Sequence, residues 1–221
     1  MKNLKNIDLV SVNCVNPEES IKALLYSCKE IYFGNMFLIS HRLPEKLPTN
    51  ISFIQTTPHT HDTMNNFMLK EVPKYLKNEY TLFIHDDGFI INPNLWDDDF
   101  LFYDYIGAPW HPSTGLKNRV GNGGFVLKSK KFTDLQLNLP DTNDHDDGYV
   151  TNKYYDYFIN NGCKYAPIEV AMKFSLESKI PECEYNLNNC FGFHGRGDAN
   201  VFDGEGQQFK DKIKLLNTIK Y

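Results

Sequence analysis

The chain has 221 residues, of which 41% are hydrophobic and 23% charged, enough apolar side chain for one core and too much for a disordered state. Twenty-three Lys and Arg against 28 Asp and Glu leave a net charge of −5, which excludes the basic field that nucleic acid needs. A mean hydropathy of −0.46, with no apolar run near the ~20 residues of a membrane span, excludes a bilayer-crossing segment.

Met1 to Asn6 leads directly into a polar-interrupted apolar stretch and lacks the hydrophobic region of a secretion signal. Ile7 to Cys14 is a β-branched run that predicts a strand. Asn16-Pro17-Glu18-Glu19 is a helix start, with a capping Asn, a Pro whose missing N–H does no harm there, and acids at the positive end of the dipole. Ile21, Leu24, Leu25 and Cys28 continue it at helical spacing. Met36 to Ser40 and Ile51 to Gln55 predict short buried strands. Asp62 to Leu76 carries Met64, Phe67, Met68 and Val72 at helical spacing, and Pro73 should kink or end that helix. Tyr80 to Ile84 predicts a strand that runs into His85-Asp86-Asp87-Gly88. Beyond residue 100, Tyr103 to Ile106, Phe125 to Lys128 and Lys164 to Ile168 read as strands, and Val150 to Ile159 as a helix closed by Gly162. Gln207 to Ile219 predicts a C-terminal helix with Phe209, Ile213 and Leu216 on one face. Strands alternating with helices predict one α/β domain around a mostly parallel central sheet flanked by helices.

Four segments concentrate chemistry. In an extended segment His85 and Asp87 share a face, so a hard cation that also holds phosphate oxygens suits them; an Asp-Gly turn is the alternative. Val120-Gly121-Asn122-Gly123-Gly124-Phe125 offers backbone amides to hydroxyls or phosphates, or forms a glycine-rich hairpin. Asp146 and Asp147, after His145, either cap a helix or supply a general base whose pKa burial would raise. His194, between glycines and aromatics, is either a metal ligand or structural. Asp97-Asp98-Asp99 reads as a solvated patch or helix start. Cysteines 14, 28, 163, 183 and 190 follow no metal-ligand spacing and are read as reduced thiols of a cytoplasmic protein. Aromatics reach 14%, with 13 Tyr and 16 Phe, so some are expected around a sugar site as well as in the core.

These segments come in the order of one family. Phe83 to Pro93, Tyr103-Asp104-Tyr105-Ile106-Gly107-Ala108-Pro109-Trp110, Val120 to Phe125, Asp146-Asp147 and Phe191-Gly192-Phe193-His194-Gly195 together resemble small domains of the glycosyltransferase-A (nucleotide-diphospho-sugar transferase) fold. The similarity covers residues 80 to 195. It implies a nucleotide-binding half over 1–100 and a sugar and acceptor half over 101–221. It further implies transfer of a hexose or a 6-deoxyhexose such as rhamnose from a nucleotide-diphosphate sugar, UDP-linked by preference, to a glycan hydroxyl. The expected cofactor is Mn²⁺ or Mg²⁺. The family's metal motif is Asp-x-Asp; its third position is Asp87, whereas its first is His85, a departure that lowers the negative charge of the site by one. His194 matches the late histidine that completes the metal shell, and His85 is assigned to metal or donor. Asp147 is the expected base, with Asp146 as substitute, and a single base with no covalent nucleophile would invert the anomeric centre. Ser11, Asn13, Asp86 and Gly88 are expected at the donor nucleotide. Asn122, Gly123 and Gly124 are expected at the sugar and acceptor, and so is Trp110, for which core packing is the alternative. Phe89, Tyr103, Tyr105, Trp110, Phe125, Phe191 and Phe193 are expected to flank that site. Competing readings are a non-catalytic nucleotide-sugar or glycan-binding domain, which His85 favours, and a metal-dependent phosphohydrolase built on His85, Asp87, Asp147 and His194.

Overall fold

The apolar run that opens the chain becomes the centre of a sheet. In a computed structural model, which describes residues 1–195 and 206–221, β1 spans Lys2–Val12, β2 Ile31–Ser40, β3 Ser52–Gln55 and β4 Tyr80–Ile84. β5 is Tyr105–Ile106 and β6 is Phe125–Ser129. The sheet order is β3-β2-β1-β4-β6-β5. The β1–β2, β2–β3 and β1–β4 pairs are parallel, whereas β6 runs antiparallel to both β4 and β5. β1 is buried without a break from Ile7 to Ser11, as a strand covered on both faces must be.

Helices cover both faces. Leu9, Leu82, Ile84, Phe125 and Leu127 point to one core, filled by Ile21 and Leu24 of helix α1 (Pro17–Ser27), Phe174 of α6 (Ile168–Phe174) and Phe209 of α7 (Gly206–Lys214). Val10, Phe83 and Val126, their neighbours in sequence, point to the other. There they meet Phe67 of α2 (His61–Lys70), Phe132 of α3 (Lys130–Gln136) and Phe158 of α5 (Tyr155–Asn160). Alternation along a strand thus assigns each residue to one layer.

Several predicted elements change form. Pro73 does end the helix: α2 stops at Lys70 and Val72–Tyr75 is a 3-10 turn. The 150–159 stretch splits into a π turn, Tyr149–Lys153, and α5. Lys164 to Ile168 is not a strand; Tyr165 makes a lone bridge to Tyr105, and Pro167-Ile168 starts α6. Gly206–Lys214 and a 3-10 turn over Leu215–Thr218 form the C-terminal helical segment, with Phe209 and Leu216 buried as the spacing requires. Asp97 caps the 3-10 turn Asp98–Phe102, so the triple-Asp stretch is a helix start. All five cysteines are free, and no helix among the described residues is long and apolar enough to cross a membrane.

One buried charge ties the parallel strands together. Asp8, fully buried in β1, accepts hydrogen bonds from Asn35 Nδ2 (2.7 Å) in β2 and from Lys77 N, Asn78 N and Asn78 Nδ2 (2.8, 3.1 and 2.6 Å) ahead of β4. Asp8→Ala leaves these donors without an acceptor, and the expected loss is about 2–4 kcal/mol. Urea unfolding should show a lower midpoint at unchanged slope.

Candidate active site

The chain builds β1, β2 and β3 outward on one side, then crosses to β4 on the other side of β1. Ligands of open α/β sheets bind at such a reversal, beyond the carboxyl ends of the strands. Two adjoining cavities lie there. The first, of about 470 Å³, is lined by Val12, Asn13, Cys14, Val15 and Asn16 after β1, by His59, Thr60 and Met64, and by His85 and Asp86 after β4. The second, of about 310 Å³, shares Val12, Met64 and His85 and adds Asn65, Met68, Asn122, Gly123, Gly124, His145, Asp146, Asp147 and His194.

The antiparallel β4–β6 ladder brings two of the sequence segments together. Its last pair is Ile84 with Phe125, and beyond it His85 N donates to Gly124 O (3.1 Å). Gly88 N turns back to His85 O (3.2 Å), closing the Asp-Gly turn. β7 (Ser175–Leu176) and β8 (Gly192–Phe193) form a separate parallel pair that delivers His194 to the same place. The His194 ring then lies flat against the Gly124 backbone: a β-carbon on Gly124 would stand 2.1–2.4 Å from ring atoms, so only glycine leaves room for it. Gly88 is similarly confined, since its β-carbon would meet Gly124 O at 2.8 Å and Phe193 O at 3.0 Å.

Ligand atoms of His85, Asp87 and His194 all come within 4.8 Å of one another. Two donors on opposite sides of one ion lie roughly 4 Å apart, so the three residues present fit a divalent cation. His194 Nε2 is 3.5 Å from Asp87 Oδ1, and its Nδ1 is 3.1 Å from Glu177 Oε1. Burial opposes a charge on His194, yet the hydrogen bonds to Asp87 and Glu177 prevail and raise its pKa to about 10. An imidazole between two carboxylates asks for a cation, which a proton or a metal ion supplies. His85 behaves oppositely. His85 keeps an exposed side that lines both cavities, and the protein around the rest of the ring, then His194 beside it (ring centroids 5.2 Å apart), lower its pKa to about 4. A neutral imidazole of this kind can offer a nitrogen lone pair.

Asp146 and Asp147 open the short helix α4 (Asp146–Gly148) and face the second cavity. Capping and cleft roles coincide: Asp147 accepts from Gly148 N (2.6 Å) and Gly123 N (3.3 Å) while lining the cavity. Burial, then the adjacent Asp146, raise the Asp147 carboxyl above its ordinary value. Helix α2 holds this loop. Asn65 Oδ1 accepts from Asp146 N (3.2 Å), and Asn66 exchanges hydrogen bonds with the backbone of Thr142 (2.9 and 2.8 Å).

The remaining expected residues divide. Asn122 lines the second cavity, and its Oδ1 accepts from Gly124 N (3.0 Å). Asn13 lines the first cavity and closes its own turn, accepting from Val15 N and Asn16 N (both 2.8 Å). Ser11 does not reach the cleft lining: β-strand alternation turns it into the core, fully buried. Trp110 also lies off both cavities, its ring packed on the backbone of Gly121. The aromatics expected around the sugar form the wall behind the site instead. Phe89, Tyr105, Phe125, Phe191 and Phe193 are fully buried, and Phe89 packs edge-on against Phe193 (4.9 Å).

Sequence reasoning missed Glu177, His59, Asn65, Met64, Met68 and Lys128. A visible signal was the polar cluster Pro58-His59-Thr60-His61-Asp62, of which only Asp62 falls within the predicted helix. His59 stacks on Phe67 (4.2 Å) at the wall of the first cavity, and burial lowers its pKa. Lys128 is buried in β6 over the rings of Phe83 and Tyr105 (5.4 and 5.6 Å). Burial lowers its pKa against the opposing pull of Asp146 and Asp147.

Comparison with known proteins agrees with the architecture. The sequence profile of the family described as "Protein of unknown function (DUF5672)" matches residues 49–194. No curated protein matches the sequence. Among solved structures, the galactosyltransferase LgtC in complex with donor and acceptor sugar analogs is similar over 96% of this chain and 97% of its own, at 14% identity and a TM-score of 0.52. An active-site mutant of LgtC is similar over the same shares, at 12% identity and a TM-score of 0.51. The protein therefore shares the glycosyltransferase-A fold, an α/β sheet flanked by helices.

Gly124→Ala is expected to push the His194 ring out of its seat while the strands persist. Mn²⁺ titrations followed by electron paramagnetic resonance should show affinity reduced by about tenfold or more, with an unchanged circular dichroism spectrum.

Proposed function

The chain belongs to the DUF5672 family, and from its cleft we propose that it is a metal-dependent glycosyltransferase. The proposed reaction moves a hexose or 6-deoxyhexose from a nucleotide-diphosphate sugar, UDP-linked by preference, to a glycan hydroxyl. The observation that carries this reading is the shared cavity. Asp147, a half-buried carboxylate with a raised pKa, lines the same 310 Å³ space as His85 and His194, at the switch point of this fold. Clefts that push the pKa values of neighbouring groups in opposite directions are characteristic of acid–base sites.

The first cavity, at the ends of β1 and β4, suits the nucleotide, with Asn13 and Asp86 in its wall. Asp87, His194 and His85 would hold the cation, which when bound offsets negative charge on the departing diphosphate. The protein's own groups do the rest. Asn122, Gly123 and Gly124 line the sugar's side of the second cavity, where missing side chains admit hydroxyls. Asp147 takes the proton from the acceptor oxygen as it attacks, and its raised pKa strengthens it as a base. The buried wall of phenylalanines keeps these groups in place as charge develops. A carboxylate base with direct displacement implies inversion at the anomeric carbon; retention would instead give Asp147 or Asp146 the nucleophile's role.

Screening nucleotide sugars with Mn²⁺ by thermal shift, followed by transfer assays on the donors that stabilise the fold, tests the reading. Binding without turnover on a broad acceptor panel would favour a non-catalytic nucleotide-sugar-binding domain. Rapid metal-dependent cleavage of simple phosphate esters would favour a phosphohydrolase.

Asp147→Asn should leave donor binding intact and lower transfer by about 10²–10⁴-fold. Because the base must be ionised, transfer by the unmodified protein should fall as pH drops through a value above the usual aspartate pKa of about 4. His85→Asp restores a second carboxylate to the trio. Equilibrium titration should then show Mg²⁺ affinity rising relative to Co²⁺ by about tenfold, because oxygen donors suit the harder ion.

A further inference from the structure

We propose that Glu177 is the positioning residue of the metal centre, and that the two-stranded β7–β8 sheet exists to bring it into register with His194. The proposal rests on the metal-binding half of the reading above.

β7 and β8 are only two residues each, too short to stabilise anything as a sheet in their own right. Their pairing is nonetheless well defined: Ser175 lies opposite Gly192, and Leu176 opposite Phe193. His194 N donates to Leu176 O (3.1 Å), which extends the ladder by one step. The next residue on each strand is therefore Glu177 on one side and His194 on the other. In a parallel pair, residues in register send their side chains to the same face. Glu177 Oε1 and His194 Nδ1 meet at 3.1 Å as a direct result.

The pair is anchored at both ends. Tyr185 donates its hydroxyl to Glu177 O (2.6 Å), fixing the backbone behind the carboxylate. Gly124 bounds the imidazole on its flat side. Both side chains are sheltered, with 14% of the Glu177 side chain and 18% of the His194 side chain exposed. Glu177 is not in the lining of these two cavities, and among the described residues its carboxylate makes its hydrogen bond to the imidazole. A carboxylate on Nδ1 keeps the proton there and leaves the Nε2 lone pair for a cation beside Asp87 and His85. The ring's tautomer and its rotation are set by the same contact.

The test uses the full chain with metal alone. Mn²⁺ binding is measured by electron paramagnetic resonance for the unmodified protein, Glu177→Gln and Glu177→Asp. The His194 Nδ1–H resonance is followed by NMR in the Zn²⁺-loaded, diamagnetic protein. Glu177→Gln should weaken Mn²⁺ binding by about 10–100-fold, and Glu177→Asp by less. The Nδ1–H resonance should move upfield in Glu177→Gln, a change that a purely structural role would not produce at unchanged thermal stability. Equal Mn²⁺ affinity in the unmodified protein and Glu177→Gln would overturn the positioning role while leaving the metal site standing. Absence of Mn²⁺ binding in the unmodified protein would overturn the metal site and the positioning role with it.

Discussion

The antiparallel pairing of β4 with β6 is the constraint on which the cleft depends. A parallel neighbour would carry its own carboxyl end to the upper edge of the sheet. β6 instead arrives there with the segment that precedes it, so Gly123 and Gly124 stand beside the loop that leaves β4. Everything else is built on that meeting. His85 is hydrogen-bonded to Gly124, Gly88 and the His194 ring press against it, and Asp147 reaches the Gly123 amide. Register on a strand is strict, because a slip by one residue would turn Phe125 and Leu127 out of one core and Val126 out of the other. The hydrophobic pattern of β6 therefore fixes the position of the glycines by as much as their own flexibility does.

Charge in the cleft follows from the same crowding. Asp86, Asp87, Asp146, Asp147 and Glu177 gather around two imidazoles in a chain that is already acidic at −5. Such a group of carboxylates repels a phosphorylated ligand unless a cation stands between them. The imidazoles divide the work. His194, caught between Asp87 and Glu177, is drawn toward a positive charge, whereas His85, pressed by protein and by His194, stays neutral. Asp147 lies beyond both, where burial and the neighbouring Asp146 raise its pKa, as the proposed role of proton acceptor requires.

Rigidity comes from behind. Phe89, Phe125, Phe174, Phe191, Phe193 and Phe209 pack in tilted and edge-to-face pairs beneath the strands that carry His85 and His194. Such pairs have narrow geometric preferences, so they resist small displacements of the loops above them. The aromatic surplus of the composition is thus mostly structural. It serves the site by fixing the backbone beneath it.

Local chemistry was legible in the residues alone. The strand–helix rhythm, a helix ending ahead of Pro73 and a helix start at Asp97 follow from spacing and side-chain type over a few residues, and so does the ligand-capable chemistry of His85, Asp87 and His194. So does the acidic pair at 146 and 147. What the chain could not reveal by itself is long-range. Glu177 has no motif around it and becomes functional only because a two-residue ladder sets it opposite His194. Asn65 and Asn66 look like surface helix residues until they hold the loop of Asp146 from the other side of the cleft. Ser11 and Trp110 have suitable chemistry and the wrong direction, one turned inward by strand alternation and the other laid on Gly121. Side-chain type and near-neighbour periodicity are properties of the sequence, whereas facing and register across the sheet depend on which distant segments pair, and that only the folded structure decides.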